Sequence, residues 1–364
     1  MGRVDDLRAA AAMAVFVDHV AVTWLASQGD SEGTYAGYLG RLGVAVFFVI
    51  SGLVIYRPFV AVDGPRTRVD LWGYAVRRLV RIVPAYWVAL VFFTAVRPWL
   101  QGFTFSPATA TFAAFGQIYT SRTYFSGLTV AWTLDIEVCF YAAVPLIAIA
   151  VGALSRTGRG RRLELWVLLA LAGGSVLVRV ISPNGVIGGT ILGYFGWFVI
   201  GMLVARAIES PRPQRRRIWG HPAAWWAIGS AGFALLGAHL SDSPANQGST
   251  LLYVALGLLA AIFVLPALSR PTERATAVGK WLGDRSYGIY LWHLPIVRWL
   301  ADKNLYLPQY IAFSVCLTLL AANLSYHLLE RPLMRRATAF RRNSAAARPA
   351  SDTDLQLGSP TTTF

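Results

Sequence analysis

The sequence predicts an all-α, polytopic membrane bundle of about ten transmembrane helices, and three observations carry that reading. Hydrophobic residues make up 55% of the 364 and charged ones only 14%, whereas soluble domains carry about a quarter charged. Apolar runs recur at the length that crosses a bilayer core, about 20 helical residues for roughly 30 Å. Arginines fall in alternate loops, the asymmetry that fixes membrane topology.

Taken in order, the runs lie near 7–26, 41–61, 81–100, 130–152, 164–181, 187–206, 222–240, 250–269, 284–301 and 308–330. The first, "LRAAAAMAVFVDHVAVTWLA", has no small-residue cleavage site and exceeds a signal-peptide core, so it reads as a retained anchor. Segment 104–121, "TFSPATATFAAFGQIYTS", is too polar to span and reads as part of a long external loop that dips back toward the membrane. With the N-terminus in the cytoplasm, the inside segments hold Arg66, Arg68, Arg77, Arg78 and Arg81, then Arg156, Arg159, Arg161 and Arg162. Further inside segments hold Arg206, Arg212, Arg215, Arg216 and Arg217, then Arg270, Arg274, Lys280 and Arg285, and finally Arg331, Arg335, Arg336, Arg341 and Arg342. Outside segments hold few: Arg41, Arg97, Arg122 and Lys303.

That alternation places both termini in the cytoplasm, and the chain is expected in the plasma membrane. It makes the net charge of +15 an orientation signal rather than the footprint of a nucleic-acid binder. Cys139 and Cys316 lie in apolar runs and offer neither a disulfide framework nor metal-ligand spacing. The expected organisation is a membrane domain over 1–338 and a disordered cytoplasmic tail over 339–364, which is polar and rich in Pro, Ser and Thr. No soluble catalytic domain is expected, so the chemistry falls among the helices.

Ionisable groups inside spans are costly and are functional candidates by default. Arg8 and His19 are eleven residues apart; that is three helical turns plus about 20°, which puts both on one face about 16 Å apart. The spacing suits an extended substrate with an anionic head and a deep reactive end. It equally suits an interfacial arginine and a structural histidine. Asp18 points about 100° away from His19 and is not selected. In "YAVRRLVRIVPAYW", Arg77, Arg78 and Arg81 crowd one helical side, either as a phosphate clamp or as a topology signal.

In "VAWTLDIEVCFYAAVPL", Glu137 lies about 12 Å below the external end of its span, at the depth of His19. There a carboxylate can orient an imidazole or serve helix packing; Asp135 points away, toward the mouth. In "LGDRSYGIYLWHLPIV", Ser286 and His293 nearly coincide in angle, and Tyr287 and Tyr290 are one turn apart. Substrate contact and polar glue between helices both remain open for them. Glu330 reads as an ion-pairing residue at a span boundary.

Together these blocks resemble the membrane-bound acyltransferase family 3. The family's Arg-x10-His is Arg8 and His19, and its second-span pattern stands as "FFVISGLVI" with Ser51 and Gly52. Its basic block is Arg77, Arg78, Arg81, Pro84, Tyr86 and Trp87. Its "WSLxxExxFYxxxP" is Trp132, Thr133, Leu134, Glu137, Phe140, Tyr141 and Pro145, with Thr replacing the usual Ser. Its "SYxIYLxHxP" is Ser286, Tyr287, Tyr290, His293 and Pro295.

The resemblance covers about residues 3–335 and implies the form without the family's frequent C-terminal hydrolase-like domain. It implies transfer of an acyl group, commonly acetyl, from acyl-CoA to a hydroxyl of a carbohydrate, glycolipid or secondary metabolite such as a macrolide. Arg8, Arg77, Arg78 and Arg81 would then hold the phosphates of acyl-CoA, His19 would act as general base, and Glu137 would support it. Ser51, Trp132, Ser286, Tyr287, Tyr290 and His293 would bind substrate or brace the site. No metal is implied. A transporter or flippase for a lipid-linked or small polar molecule is the rival reading, because such proteins also carry intramembrane His and Glu.

Overall fold

The computed structural model describes residues 3–29, 36–60, 71–96, 107–154, 160–183, 185–208, 222–241, 249–268 and 274–346. Among these residues there are helices and turns but no strand. The helices are α1 (Val4–Ser27), α2 (Ala36–Tyr56), α3 (Leu71–Val96), α4 (Pro107–Ala113), α5 (Trp132–Leu154) and α6 (Gly160–Ile181). They continue as α7 (Ile191–Ile208), α8 (Pro222–Ser241), α9 (Thr250–Leu268), α10 (Ala277–Ala301), α11 (Leu307–Ser325) and α12 (Arg331–Ala346). Each expected span therefore has a helix.

Six helical stretches are long and apolar enough to cross a membrane: Val4–Ser27, Gly37–Phe59, Thr129–Ala150, Arg162–Ile181, Ile187–Ile208 and Leu307–Ala339. This is a multi-pass helical membrane protein. α8 and α9 are apolar but shorter over their hydrophobic stretch. α3 and α10 are not among these six; α3 carries Arg77, Arg78 and Arg81 in its first half, and α10 carries Lys280, Asp284, Arg285 and Arg298.

Helix boundaries follow caps rather than hydropathy. α10 begins seven residues before its apolar run, where the Thr276 hydroxyl accepts the Gly279 N–H at 2.9 Å and donates to Asp6 at 2.8 Å, a side-chain N-cap. α3 starts ten residues before its expected span. The segment expected as a dipping loop is partly folded into α4 and a single 3-10 turn at Gln117–Tyr119. Tyr86 and Trp87 of α3 donate to the carbonyls of Phe112 and Ala113 at 2.8 and 3.0 Å. Asp135, fully buried, accepts the Gln117 N–H at 3.0 Å; it anchors this turn to α5 instead of standing at a mouth. At the other end of the chain, a π turn at Tyr326–Glu330 leads into α12. Residues 339–346 of the expected tail are thus helical, and 347–364 lie outside the described residues, as do Arg66, Arg68, Arg97, Arg156, Arg159, Arg212, Arg215–Arg217 and Arg270.

α1 packs chiefly on α2 and α10, and α2 packs on α7. The α2–α7 crossing is made of backbone. A Cβ at Gly52 would meet the Phe198 carbonyl, and one at Gly201 would meet the Val49 carbonyl and the Leu53 nitrogen. In lipid, close approach between small residues supplies the packing that hydrophobicity cannot. At the C-terminal end of α2, Tyr56 donates to Glu164 at 2.7 Å, and Arg206 pairs with the same carboxylate at 3.4 Å, joining α2, α6 and α7.

Replacing Gly201 with Leu should cost about 1–3 kcal/mol and lower the unfolding temperature in detergent, because the obstruction is backbone. Gly173→Ala should leave it unchanged or slightly raised, since nothing lies within 4 Å of that added Cβ. Equal midpoints for the two variants would show that the α2–α7 contact is not tight.

Candidate functional site

Two cavities meet inside the bundle, and both are lined by Val44 and Tyr290. One, of about 320 Å³, is walled by Asp5 and Arg8 of α1, Ser51 of α2, Arg78 and Arg81 of α3, Glu137 and Tyr141 of α5, and Ser286 and Tyr287 of α10. The other, of about 540 Å³, holds Asp18, His19, Arg41, Trp132, Arg179, Tyr194, Trp197 and Tyr253.

The arginine cavity forms because α1, α3 and α10 begin at one end of the bundle. Arg8 reaches across to α10, where its Nη2 donates to Ser286 at 3.0 Å while the serine hydroxyl donates to the Gly283 carbonyl at 2.8 Å. Arg78 lies over the rings of Tyr74 and Tyr141, 5.8 and 5.6 Å from their centroids. Tyr287 donates to the Ile82 carbonyl at 2.7 Å, fixing α10 against the turn of α3 that bears Arg81. Arg77 is exposed and does not line the cavity; the three arginines divide into two that face in and one that does not.

Glu137 belongs to this cavity and not to His19. Its Oε1 accepts hydrogen bonds from Ser51 and from Tyr141, each at 2.7 Å. Two donors on one oxygen hold the carboxylate's orientation and leave its second oxygen for whatever enters.

Tyr290 and Val44 stand between the cavities. The Tyr290 and Thr133 hydroxyls are 2.7 Å apart, and each lies 3.1 Å from the Val130 carbonyl. The threonine that departs from the resembling pattern thus keeps the hydroxyl that pins Tyr290.

Beyond that partition, His19 meets His293 and not a carboxylate. His293 is fully buried, with its Nδ1 2.8 Å from the Tyr290 carbonyl and 3.0 Å from the Ile289 carbonyl. Carbonyls only accept, so this nitrogen carries the hydrogen, and Nε2 of the neutral ring is a lone pair. That Nε2 lies 3.0 Å from His19 Nδ1, which must therefore donate. The same His19 nitrogen is 3.0 Å from the Val15 carbonyl, another acceptor, which agrees. By elimination, His19 Nε2 is the basic atom. The two rings sit 5.0 Å apart at 49°.

The structure thus brings Arg8, Arg78, Arg81, Ser51, Glu137, Ser286 and Tyr287 together, and separately His19, His293 and Trp132, with Tyr290 between. Sequence reasoning passed over the His19–His293 pairing and Arg179. One signal for the pairing was available: both histidines lie deep in helices that begin at the same end of the bundle. Among the described residues, no group of three or more His, Cys, Asp or Glu is arranged to hold a metal ion.

Comparison with known proteins places this geometry in context. YrhL of Bacillus subtilis strain 168 is 27% identical over 93% of this chain. The exopolysaccharide production protein ExoZ of Rhizobium meliloti strain 1021 is 29% identical over 86% of this chain and 96% of its own length. The peptidoglycan O-acetyltransferase OatA of Listeria monocytogenes is 25% identical over 91% of this chain. The matches span only 55% of the lengths of YrhL and the Listeria OatA. No solved structure matches. The model of the acyltransferase domain known as Acyl_transf_3 matches residues 1–328, and the chain belongs to that family of membrane acyltransferases.

Proposed function

We propose that this acyltransferase takes its acyl group from acyl-CoA, acetyl-CoA first among them, and gives it to a hydroxyl of a carbohydrate or glycolipid acceptor. The observation that carries the reading is the meeting of an arginine cavity and a histidine cavity at one tyrosine. Guanidinium groups bind phosphate oxygens through paired donors, so Arg8, Arg78 and Arg81 hold the nucleotide end of the donor. The pantetheine arm runs past Glu137, whose unoccupied oxygen accepts its amide N–H, and reaches Tyr290. His19 waits on the other side with the acceptor.

In the transfer, the acceptor oxygen attacks the thioester carbonyl as His19 Nε2 takes the hydroxyl proton. A carbon–oxygen bond forms and the carbon–sulfur bond breaks. The leaving thiolate recovers the proton from the imidazolium, and the enzyme returns to its starting state. His293 touches neither reactant; it accepts from His19 Nδ1 and is a positioning residue, keeping the basic nitrogen turned toward the acceptor. In this reading ten helices cross the plasma membrane, both termini and the arginine cavity face the cytoplasm where acyl-CoA resides, and the histidine cavity opens outward. The names of OatA and ExoZ favour a glycan acceptor over a macrolide-type metabolite. Membership of an acyltransferase family displaces the transporter reading.

Purified protein given acetyl-CoA should release free CoA thiol only when an acceptor is present. His19→Ala should lower that rate about 10²–10⁴-fold, the range for loss of a general base, with donor binding unchanged. His293→Ala should lower kcat and displace the pH profile without raising KM for acetyl-CoA. His293→Gln should restore part of the rate, because its amide oxygen can accept the same hydrogen. Native rates in His19→Ala protein would remove the general-base role.

Arg81→Gln should raise KM for acetyl-CoA about tenfold or more, the loss expected for a charge-assisted bond, while Arg77→Gln changes it little. Equal effects at 77 and 81 would show that the cavity wall does not set donor binding.

A further inference from the structure

We infer that the histidine cavity is built for a carbohydrate carrying an anionic group, carboxylate or phosphate, with Arg179 as its counter-ion. This rests on the acyl-transfer reading and narrows it to a class of acceptor. Arg179 stands near the end of α6, in one of the six apolar stretches long enough to cross the membrane. Its guanidinium carbon lies 5.3 Å from the Tyr194 ring centroid and 5.2 Å from that of Tyr253. Nη1 donates to the Gly188 carbonyl at 3.3 Å, while Nε is buried without a hydrogen-bond partner.

Among the described residues no carboxylate pairs with Arg179. Asp18, the carboxylate lining the same cavity, accepts the Gly40 N–H at 2.9 Å instead. A cation held in a membrane span is a functional candidate by default, and the partners of this one are a carbonyl and two tyrosine rings rather than a counter-charge. The two tyrosine rings offset part of its cost. They also hold the group in one place on the cavity wall. A carboxylate or phosphate oxygen arriving there would pair with the guanidinium.

The remaining walls fit a sugar. Trp132, Trp197 and Tyr124 line the cavity beside those two tyrosines, and the apolar faces of pyranose rings pack well on aromatic surfaces. The volume of about 540 Å³ lies within the range of small-molecule sites. An anion seated on Arg179 would leave the rest of the sugar to present a hydroxyl to His19 in the same cavity.

The test uses full-length protein in detergent and three probes: p-nitrophenyl β-D-glucuronide, its neutral glucoside counterpart, and glucose 1-phosphate. Binding is read by ligand-observed NMR on His19→Ala protein, and thiol release from acetyl-CoA on the unaltered chain. At least one anionic probe should bind about tenfold tighter than the glucoside, the size of a charge-assisted hydrogen bond. Which one does so distinguishes a sugar acid from a sugar phosphate. Arg179→Gln should abolish the preference and Arg179→Lys should keep part of it, so the lysine variant decides if the glutamine protein does not fold.

Equal binding of all three probes, or a preference that survives in Arg179→Gln protein, would overturn the inference. Thiol release with no anionic preference would sink the anion site alone. An Arg179-dependent preference with no thiol release from any acceptor would sink acyl transfer and leave the anion site standing.

Discussion

Two backbone carbonyls of α10 set the polarity of the buried histidine pair. Because the Ile289 and Tyr290 carbonyls can only accept, the Nδ1 of His293 must donate, and the chain of consequence runs through His293 Nε2 to the far nitrogen of His19. In a bundle interior an imidazole without a partner is expensive, and here both rings are satisfied while one nitrogen stays available. That outcome requires α1 and α10 to lie side by side along their lengths. Three contacts keep them so: Asp6 binds the cap at Thr276, Arg8 meets Ser286, and Gly283 lets Asp5 approach to where a Cβ would sit 2.5 Å from its carbonyl oxygen. The electrostatics at one end of the pair and the tautomer at its middle belong to a single helix–helix interface.

The same interface divides the interior. Tyr290 lies one helical turn from His293 on α10, its hydroxyl pinned by Thr133 and Val130 and its ring exposed to both cavities. The proposed donor and acceptor therefore have separate chambers, and among the described residues these share Tyr290 and Val44 as lining. The partition sets Arg8, Arg78 and Arg81 in one cavity and His19 in the other, where Arg41 and Arg179 are the cations on the wall.

Much of the fold was legible, because a bilayer imposes its thickness on every apolar run and each expected span has a helix. The Arg8–His19 face was legible too, since helical periodicity is local. What periodicity does not carry is which neighbour a face meets. Glu137 and His19 share a depth by residue count, yet Glu137 turns to Ser51 and Tyr141, because depth along an axis says nothing about rotation around the bundle. Arg77 illustrates the same limit: sharing a helical side with Arg81 did not bring it to the cavity. Arg179 was hidden for a different reason, since a lone arginine at the end of an apolar run reads as an interfacial anchor until the tyrosines around it are placed.

Hydropathy failed most instructively at α3 and α10. Neither is among the six stretches that pass as membrane spans, although each has 25 residues or more. Their charged residues include or adjoin the cavity wall: Arg78 and Arg81 on α3, and on α10 the turn around Asp284 and Arg285 next to Ser286. Arg285 is itself buried, held by Asn323 at 2.8 Å and by the Trp281 ring 4.2 Å away. A helix can carry such groups in a membrane only if neighbours supply partners; α10 packs along α1, and α3 meets α10 where Tyr287 donates to the Ile82 carbonyl. On both helices the charged turn lies at or next to residues that wall the arginine cavity, Arg78 and Arg81 on α3 and Ser286 and Tyr287 on α10, so the charge that lowers their hydropathy marks a cavity wall.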